Sequence, residues 1–161
     1  MTSIGNYVFS GCSSLTSIEI PNGVTSIGAA AFENCLNLTS IEIPNGVTSI
    51  GGWAFYGCSD LKSLIVQNKR PPISNNNIAS QDVYDNCTLY IPEGSENAYY
   101  VADGWKYFKK IETIASGIET ITADSKDVQY IQLNGMYTTE LKPGLNIFRK
   151  KDGTTKKVWV K

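Results

Sequence analysis

A 23-residue unit repeats three times without a gap at the start of this chain, and a chain built that way folds as a stack of similar coils rather than around one closed core. Residues 1–69 read as MTSIGNYVFSGCSSLTSIEIPNG, VTSIGAAAFENCLNLTSIEIPNG and VTSIGGWAFYGCSDLKSLIVQNK. The first two lines agree at 15 of 23 positions. Nine slots hold one residue type in all three lines, in the middle one Thr25, Ser26, Ile27, Gly28, Phe32, Cys35, Leu38, Ser40 and Asn45.

Within a line, Leu15, Ile18 and Ile20 follow the L-x-x-L-x-L spacing of a leucine-rich repeat. The alternation Ile18-Glu19-Ile20 is the period of a strand with one buried face. Pro-Asn-Gly then turns the chain, because proline presets φ and glycine accepts a positive one. Val24 and Ile27 point inward again, and the Ala-rich piece after Gly28, with Ala31, Phe32 and Cys35, predicts one helical or 3₁₀ turn on the opposite side of the coil.

A fourth coil is irregular. Val83-Tyr84-Asp85-Asn86-Cys87 aligns with Ala31-Phe32-Glu33-Asn34-Cys35, and Leu89-Tyr90-Ile91-Pro92 with a strand and its proline. Cys58 and Cys87 are 29 residues apart instead of 23, with Pro71, Pro72 and the Asn75-Asn76-Asn77 run taking up the excess. A short helix with Ser95 as N-cap and its end at Gly104 is expected next, and Tyr99, Tyr100, Trp105, Tyr107 and Phe108 are expected to close the open end of the core.

From Gly117 the texture changes to alternating apolar pieces separated by Asn134-Gly135, Pro143-Gly144 and Asp152-Gly153, the pattern of antiparallel hairpins. Charge changes with it: residues 1–116 hold 6 basic and 10 acidic side chains, residues 117–161 hold 8 and 5. The fold class expected is mainly β: a leucine-rich-repeat solenoid over 1–92 with little helix, a cap over 93–116 and a small antiparallel β domain over 117–161, with the border near Ser116-Gly117.

Composition narrows the function. The 161 residues carry a formal net charge of -1 and no histidine. The charge gives no basic surface to grip nucleic-acid phosphates, and the missing imidazole removes the usual general base and the commonest metal ligand. The apolar runs fall far short of the roughly 20 residues that span a bilayer, and no charged-then-apolar leader opens the chain.

On these residues the first 92 positions resemble the BspA-like, or Treponema pallidum type, leucine-rich repeat, whose unit has the form I-G-x-x-A-F-x-x-C-x-x-L-x-x-I-x-I-P. Ile27-Gly28, Ala31-Phe32, Cys35, Leu38, Ile41 and Ile43-Pro44 fall on it in order, and the third coil departs with Val66-Gln67 in place of Ile-Pro. Leu89 to Ile114 looks like the closing segment such arrays carry. The tail through Lys156-Lys157-Val158-Trp159-Val160-Lys161 is similar to C-terminal β modules on secreted proteins of anaerobic bacteria, some of which direct secretion. The resemblance implies a bacterial protein displayed at or beyond the outer membrane, adhesion and protein binding as its role, and no catalytic residue or cofactor.

Cys12, Cys35 and Cys58 form a line one coil step apart, about 5 Å, and a line is not the tetrahedron zinc requires. They read as buried free thiols, so no metal site is expected. Asp82, Asp85, Glu93 and Glu96 lack the loop pattern that holds calcium. Ser17, Ser40 and Ser63, with Glu19 and Glu42, project from the strand face not used by the core; without a base the serines are not nucleophiles, and the face reads as a solvated ladder where a partner docks. The variable slots Tyr7, Ala30, Trp53 and Ser10, Glu33, Tyr56 lie between core slots, so Tyr7, Trp53 and Tyr56 are candidate anchors for a protein or stacking platforms for a sugar.

The reading is therefore a non-catalytic cell-surface or secreted protein-binding and adhesion module, with a carbohydrate-binding accessory module using the exposed aromatics as its alternative. Met1 fills the slot of Val24 and Val47 with no cap before it, so the chain is expected to be a piece of a longer surface protein, or to self-associate through its first coil.

Overall fold

The computed structural model describes residues 2–74 and 76–114, together with the backbone of four later strands, 129–131, 137–138, 144–149 and 155–160. In chain order the elements are β1 (Ser3–Ile4), β2 (Ser17–Ile18), β3 (Ser26–Ile27), β4 (Ser40–Ile43), β5 (Ser49–Ile50), β6 (Ser63–Val66), α1 (Gln81–Asn86), β7 (Thr88–Pro92), α2 (Glu96–Val101), β8 (Lys110–Ile114), β9 (Gln129–Ile131), β10 (Tyr137–Thr138), β11 (Gly144–Arg149) and β12 (Thr155–Val160). Among the described residues strand predominates and helix is confined to two six-residue pieces. Contacts divide the chain into two compact units, Met1–Thr113 and Ile114–Lys161.

The first unit carries two parallel ladders of the leucine-rich-repeat kind. One sheet is β1-β3-β5 and the other β2-β4-β6-β7-β8. The pairing follows the repeat: Ile4 faces Ile27 and Ile27 faces Ile50, while Ile18 faces Ile41 and Ile41 faces Leu64. Between β6 and β7 the offset grows to 25, Leu64 facing Leu89, and this absorbs part of the irregular spacing seen in the fourth coil. The threonine slots are explained by hydrogen bonds across the step: Thr25 Oγ1 donates to Thr2 O at 2.8 Å and Thr48 Oγ1 to Thr25 O at 3.2 Å.

Like residues lie on like. The rings of Phe9 and Phe32 stack at 5.3 Å and 7°, those of Phe32 and Phe55 at 5.7 Å and 5°. Phe32, Phe55, Leu38, Leu61, Ile43 and Val66 are fully buried in one continuous core. Beyond the third coil Tyr99, Trp105 and Phe108 join that core, with Tyr99 and Trp105 meeting edge to face at 5.4 Å. Trp105 Nε1 donates to Pro72 O at 2.8 Å and Tyr99 Oη to Asn68 O at 2.8 Å, so the polar end of each ring is satisfied. Tyr100 and Tyr107, expected with them, remain exposed.

Three local expectations are corrected. The Ala-rich piece is not a helical turn; it is a run of turns in which Tyr7, Ala30 and Trp53 take φ of 59°, 51° and 60°, and Gly11, Asn34 and Gly57 take 73°, 55° and 71°. The reason is that its amides are spent between coils: Phe9 N donates to Ala31 O and Phe32 N to Ala54 O, both at 2.9 Å, leaving them unavailable to a helical ladder. In the irregular coil a helix does form, α1. Finally, α2 ends at Val101, short of Gly104, and Ser95 does not cap it with its side chain, because Ser95 Oγ donates to Pro92 O at 2.5 Å.

In the second unit the strand order is β10-β9-β11-β12, each neighbouring pair antiparallel, with Leu145 opposite Trp159 and Ile147 opposite both Lys157 and Ile131. The border read at Ser116-Gly117 and the turns at Asn134-Gly135 and Asp152-Gly153 lie outside the described residues, as do Met1 and Asn75.

Candidate functional site

The candidate residues separate into two sets carried by different parts of the coil. On the second sheet the register brings Ser17, Ser40, Ser63 and Thr88 into one row, and the next outward row runs Glu42, Ile65, Tyr90. Ser17 and Glu19 are exposed, Ser40 and Glu42 half-buried. The Gln67 side-chain amide donates to the Glu42 carboxylate, so that acid is held along the face. Ser63 is a correction: standing between Ser40 and Thr88 in the register it is only 6% exposed, so the hydroxyl row open to solvent stops at Ser40. The acidic row stops at the same coil, because Ile65 and Tyr90, which succeed Glu42, are buried.

The second set lies on the turn run. Tyr7, Trp53 and Tyr56 are 60%, 52% and 46% exposed. Tyr7 and Trp53 occupy one slot of the repeat with Ala30 between them, and each of the three donates its amide across the step: Tyr7 N to Ala29 O and Ala30 N to Gly52 O at 3.0 Å, Trp53 N to Asn77 O at 2.7 Å. Each turn is closed by the residue three positions on, with Ser10 N to Tyr7 O and Glu33 N to Ala30 O at 3.1 Å and Tyr56 N to Trp53 O at 3.0 Å. Ser10 Oγ donates to the Glu33 carboxylate at 3.3 Å, one coil step from Tyr56. Sequence spacing identified the exposed rings but not their backbone; the signal available was that a single variable slot accepts Tyr, Ala and Trp at one fixed distance from the invariant glycine.

Three of the four thiols are enclosed in the core, and Cys12, read from the spacing as buried with them, is corrected to exposed. Cys35 Sγ donates to Phe9 O and Cys58 Sγ to Phe32 O, each at 3.1 Å, and Cys35, Cys58 and Cys87 are fully buried while Cys12 is exposed. Burial pushes the Cys35 thiol up from its ordinary pKa and those of Cys58 and Cys87 up to about 12. Among the described residues no group of three or more Cys, Asp or Glu side chains is placed to hold a metal ion, and no helix is long and apolar enough to cross a membrane.

Comparison with known proteins adds the following. The family described as BspA type leucine rich repeat region, in 6 copies, matches residues 1–101. Among solved structures, the crystal structure of a T. pallidum leucine-rich repeat protein is similar at 17% identity and a TM-score of 0.46, covering 72% of this chain and 64% of that one. The chain thus spans somewhat under two thirds of the length of that protein. No curated protein matches.

Proposed function

This chain belongs to the BspA-type leucine-rich-repeat family, and on that premise we propose that it is a non-catalytic protein-binding module of the bacterial surface or secreted space, acting in adhesion. Its coils over 1–92 form a solenoid, 93–116 close the end, and 117–161 form a separate β domain of the kind attached to secreted proteins. The partner is a protein of a host or neighbouring cell.

The observation that carries this reading is the outer row of the second sheet. Parallel pairing holds Ser17 and Ser40 one step apart, with Glu19 exposed beside them and Glu42 fixed by Gln67. A rigid strand ladder loses little side-chain freedom on docking, which is what a low-cost protein interface requires. Its sign is also set, since the face carries Glu19 and Glu42 and no lysine or arginine precedes Lys62. The complementary partner surface is basic.

Binding of the labelled full chain to whole cells tests this. Saturable binding that disappears after protease treatment of the cells, and in the Ser17→Arg, Glu19→Lys double variant, is expected. Binding that survives either change removes the protein partner or the strand face from the account.

A further inference from the structure

The aromatic row of the turn run has a geometry that the strand-face reading does not use. The stacked phenylalanines measure the coil step directly, 5.3 Å from Phe9 to Phe32 and 5.7 Å from Phe32 to Phe55, so Tyr7 and Trp53, two steps apart in one slot, are separated by about 11 Å along the stack. Ala30 fills the slot between them and is 1% exposed, forming a small-residue floor. Packing does not demand a ring here: the middle coil is built with alanine, and the rings of Tyr7 and Trp53 are more than half exposed. The slot is also left-handed in all three coils, which costs a residue with a side chain about 1–2 kcal/mol. Two large rings are thus held outward at a position where glycine would be easier.

The surroundings carry no cation; their acid is Glu33, and Val8 and Tyr56 are exposed alongside the asparagines. Exposed Asn6 and Asn76 stand beside the row, Asn76 packed close to Gly52 and Asn6 Oδ1 accepting from Ala29 N at 2.8 Å, and exposed Asn34 lies a turn further on against Gly57. Glu33 is engaged by Ser10, and no cation lies in the first 61 residues to attract an anionic ligand. A protein anchor site places its apolar residues together at a desolvated centre; here two rings are set apart by an alanine and edged by amides.

We propose that the Tyr7–Ala30–Trp53 row binds a neutral, extended β-1,4-linked pyranose chain lying along the stacking direction. In such a chain successive sugars are flipped, so the same face recurs at every second sugar, a repeat close to two coil steps. Alternate sugars rest their C–H faces on Tyr7 and Trp53, the intervening sugar crosses Ala30, and the asparagine amides meet the hydroxyls. An α-1,4-linked chain curves and does not present one face at that interval, and a uronic-acid chain meets an acidic surface.

Isothermal titration of the full chain with cellohexaose, chitohexaose, maltohexaose and oligogalacturonate decides the matter. At least one of the two β-1,4 neutral hexasaccharides is expected to bind, with maltohexaose and oligogalacturonate weaker by about tenfold or more, and with Tyr7→Ala and Trp53→Gly each weakening binding about tenfold, as loss of one stacking platform implies. Trp53→Phe keeps a ring and is expected to stay within about threefold. Trp53→Gly relieves the left-handed backbone and so remains folded, which keeps the variant informative; an unchanged melting profile verifies it. The proposal is overturned if neither β-1,4 hexasaccharide gives binding heat, if maltohexaose binds equally well, or if Trp53→Gly or Tyr7→Ala binds undiminished. It is equally overturned if Trp53→Gly abolishes protease-sensitive cell binding while sugar titrations stay silent, for the row then belongs to a protein partner.

Discussion

A Cβ atom at Gly51 would lie 2.3 Å from the backbone nitrogen of Ala29, one coil earlier. The same slot one step back shows the same approach, Gly28 against Asn6 N at 2.5 Å, so the glycine of the Ile-Gly pair is set by contact between backbones and not by a turn. Gly51→Ala has to push two coils apart and is expected to cost about 3 kcal/mol. Gly11→Ala offers the contrast: nothing lies within 4 Å, only its φ of 73° is unfavourable, and a loss of about 1–2 kcal/mol is expected. Urea unfolding of both variants checks the order; equal losses would show that backbone conformation rather than coil spacing selects glycine at Gly51.

The slot of Trp53 reverses a familiar preference. Glycine ordinarily destabilises relative to alanine, because it gives up more conformational freedom on folding. At a φ of 60° the alanine carries the left-handed penalty instead. Trp53→Gly is therefore expected to be more stable than Trp53→Ala by about 1 kcal/mol. A thermal melt ranking alanine above glycine would mean that the left-handed conformation is not kept once the ring is gone.

The period of 23 was legible in the sequence because each coil repeats the same inward set, and the register Ile18, Ile41, Leu64 follows from it directly. The exposed rings were legible too, since Tyr7, Trp53 and Tyr56 sit between core slots. The conformation of the turn run was not. Alanines suggest helix by propensity, yet propensity weighs only local costs, and here Phe9 and Phe32 give their amides to the next coil. Ser63 was misread for a similar reason: alternation assigns a residue to a face without saying whether that face stays open, and Ser63 is closed in while its equivalent Ser17 is exposed. The end of the stack was partly visible, as a cluster of aromatics, but which rings turn inward depends on carbonyls such as Pro72 O and Asn68 O that no local pattern marks.

Thiol chemistry should divide the four cysteines. Cys12 is exposed, whereas Cys35, Cys58 and Cys87 are enclosed. Iodoacetamide at neutral pH is expected to modify Cys12 alone in the folded protein, read by mass spectrometry. Stability carries the matching signature. Below the ordinary thiol pKa of 9.0, Cys58 and Cys87 are protonated in both folded and unfolded chains and contribute no pH dependence. Above it the unfolded chain releases protons that Cys58 and Cys87 retain until about pH 12, so stability falls as pH rises through that window, by up to about 1.4 kcal/mol per pH unit for each thiol. Cys58→Ala is expected to flatten the slope between pH 9.0 and about 12, and an unchanged slope would show that this thiol ionises as freely folded as unfolded.

In the irregular coil Phe55 pairs with Ala79 and not with Tyr84, and the Tyr84 hydroxyl is what holds that pairing segment in place. The segment with the extra residues ends at Ile78 and Ala79, both buried, and Tyr84 Oη accepts from Ile78 N at 2.9 Å and from Ala79 N at 3.1 Å. Burial pushes the phenol up from its ordinary pKa, so it remains neutral across the physiological range. Tyr84→Phe keeps the ring and its edge-on contact with Phe108 at 4.9 Å but leaves two enclosed amides without an acceptor. At about 1–3 kcal/mol for each stranded group, reduced where the segment shifts to reach water, a total loss of about 2–4 kcal/mol is expected. Amide exchange at Ile78 and Ala79 should accelerate in this variant while exchange at Phe9 and Phe32 holds, since those amides donate to Ala31 O and Ala54 O, away from the loosened segment. Unchanged exchange at Ile78 and Ala79 would show that the segment is anchored by its packing and not by the phenol.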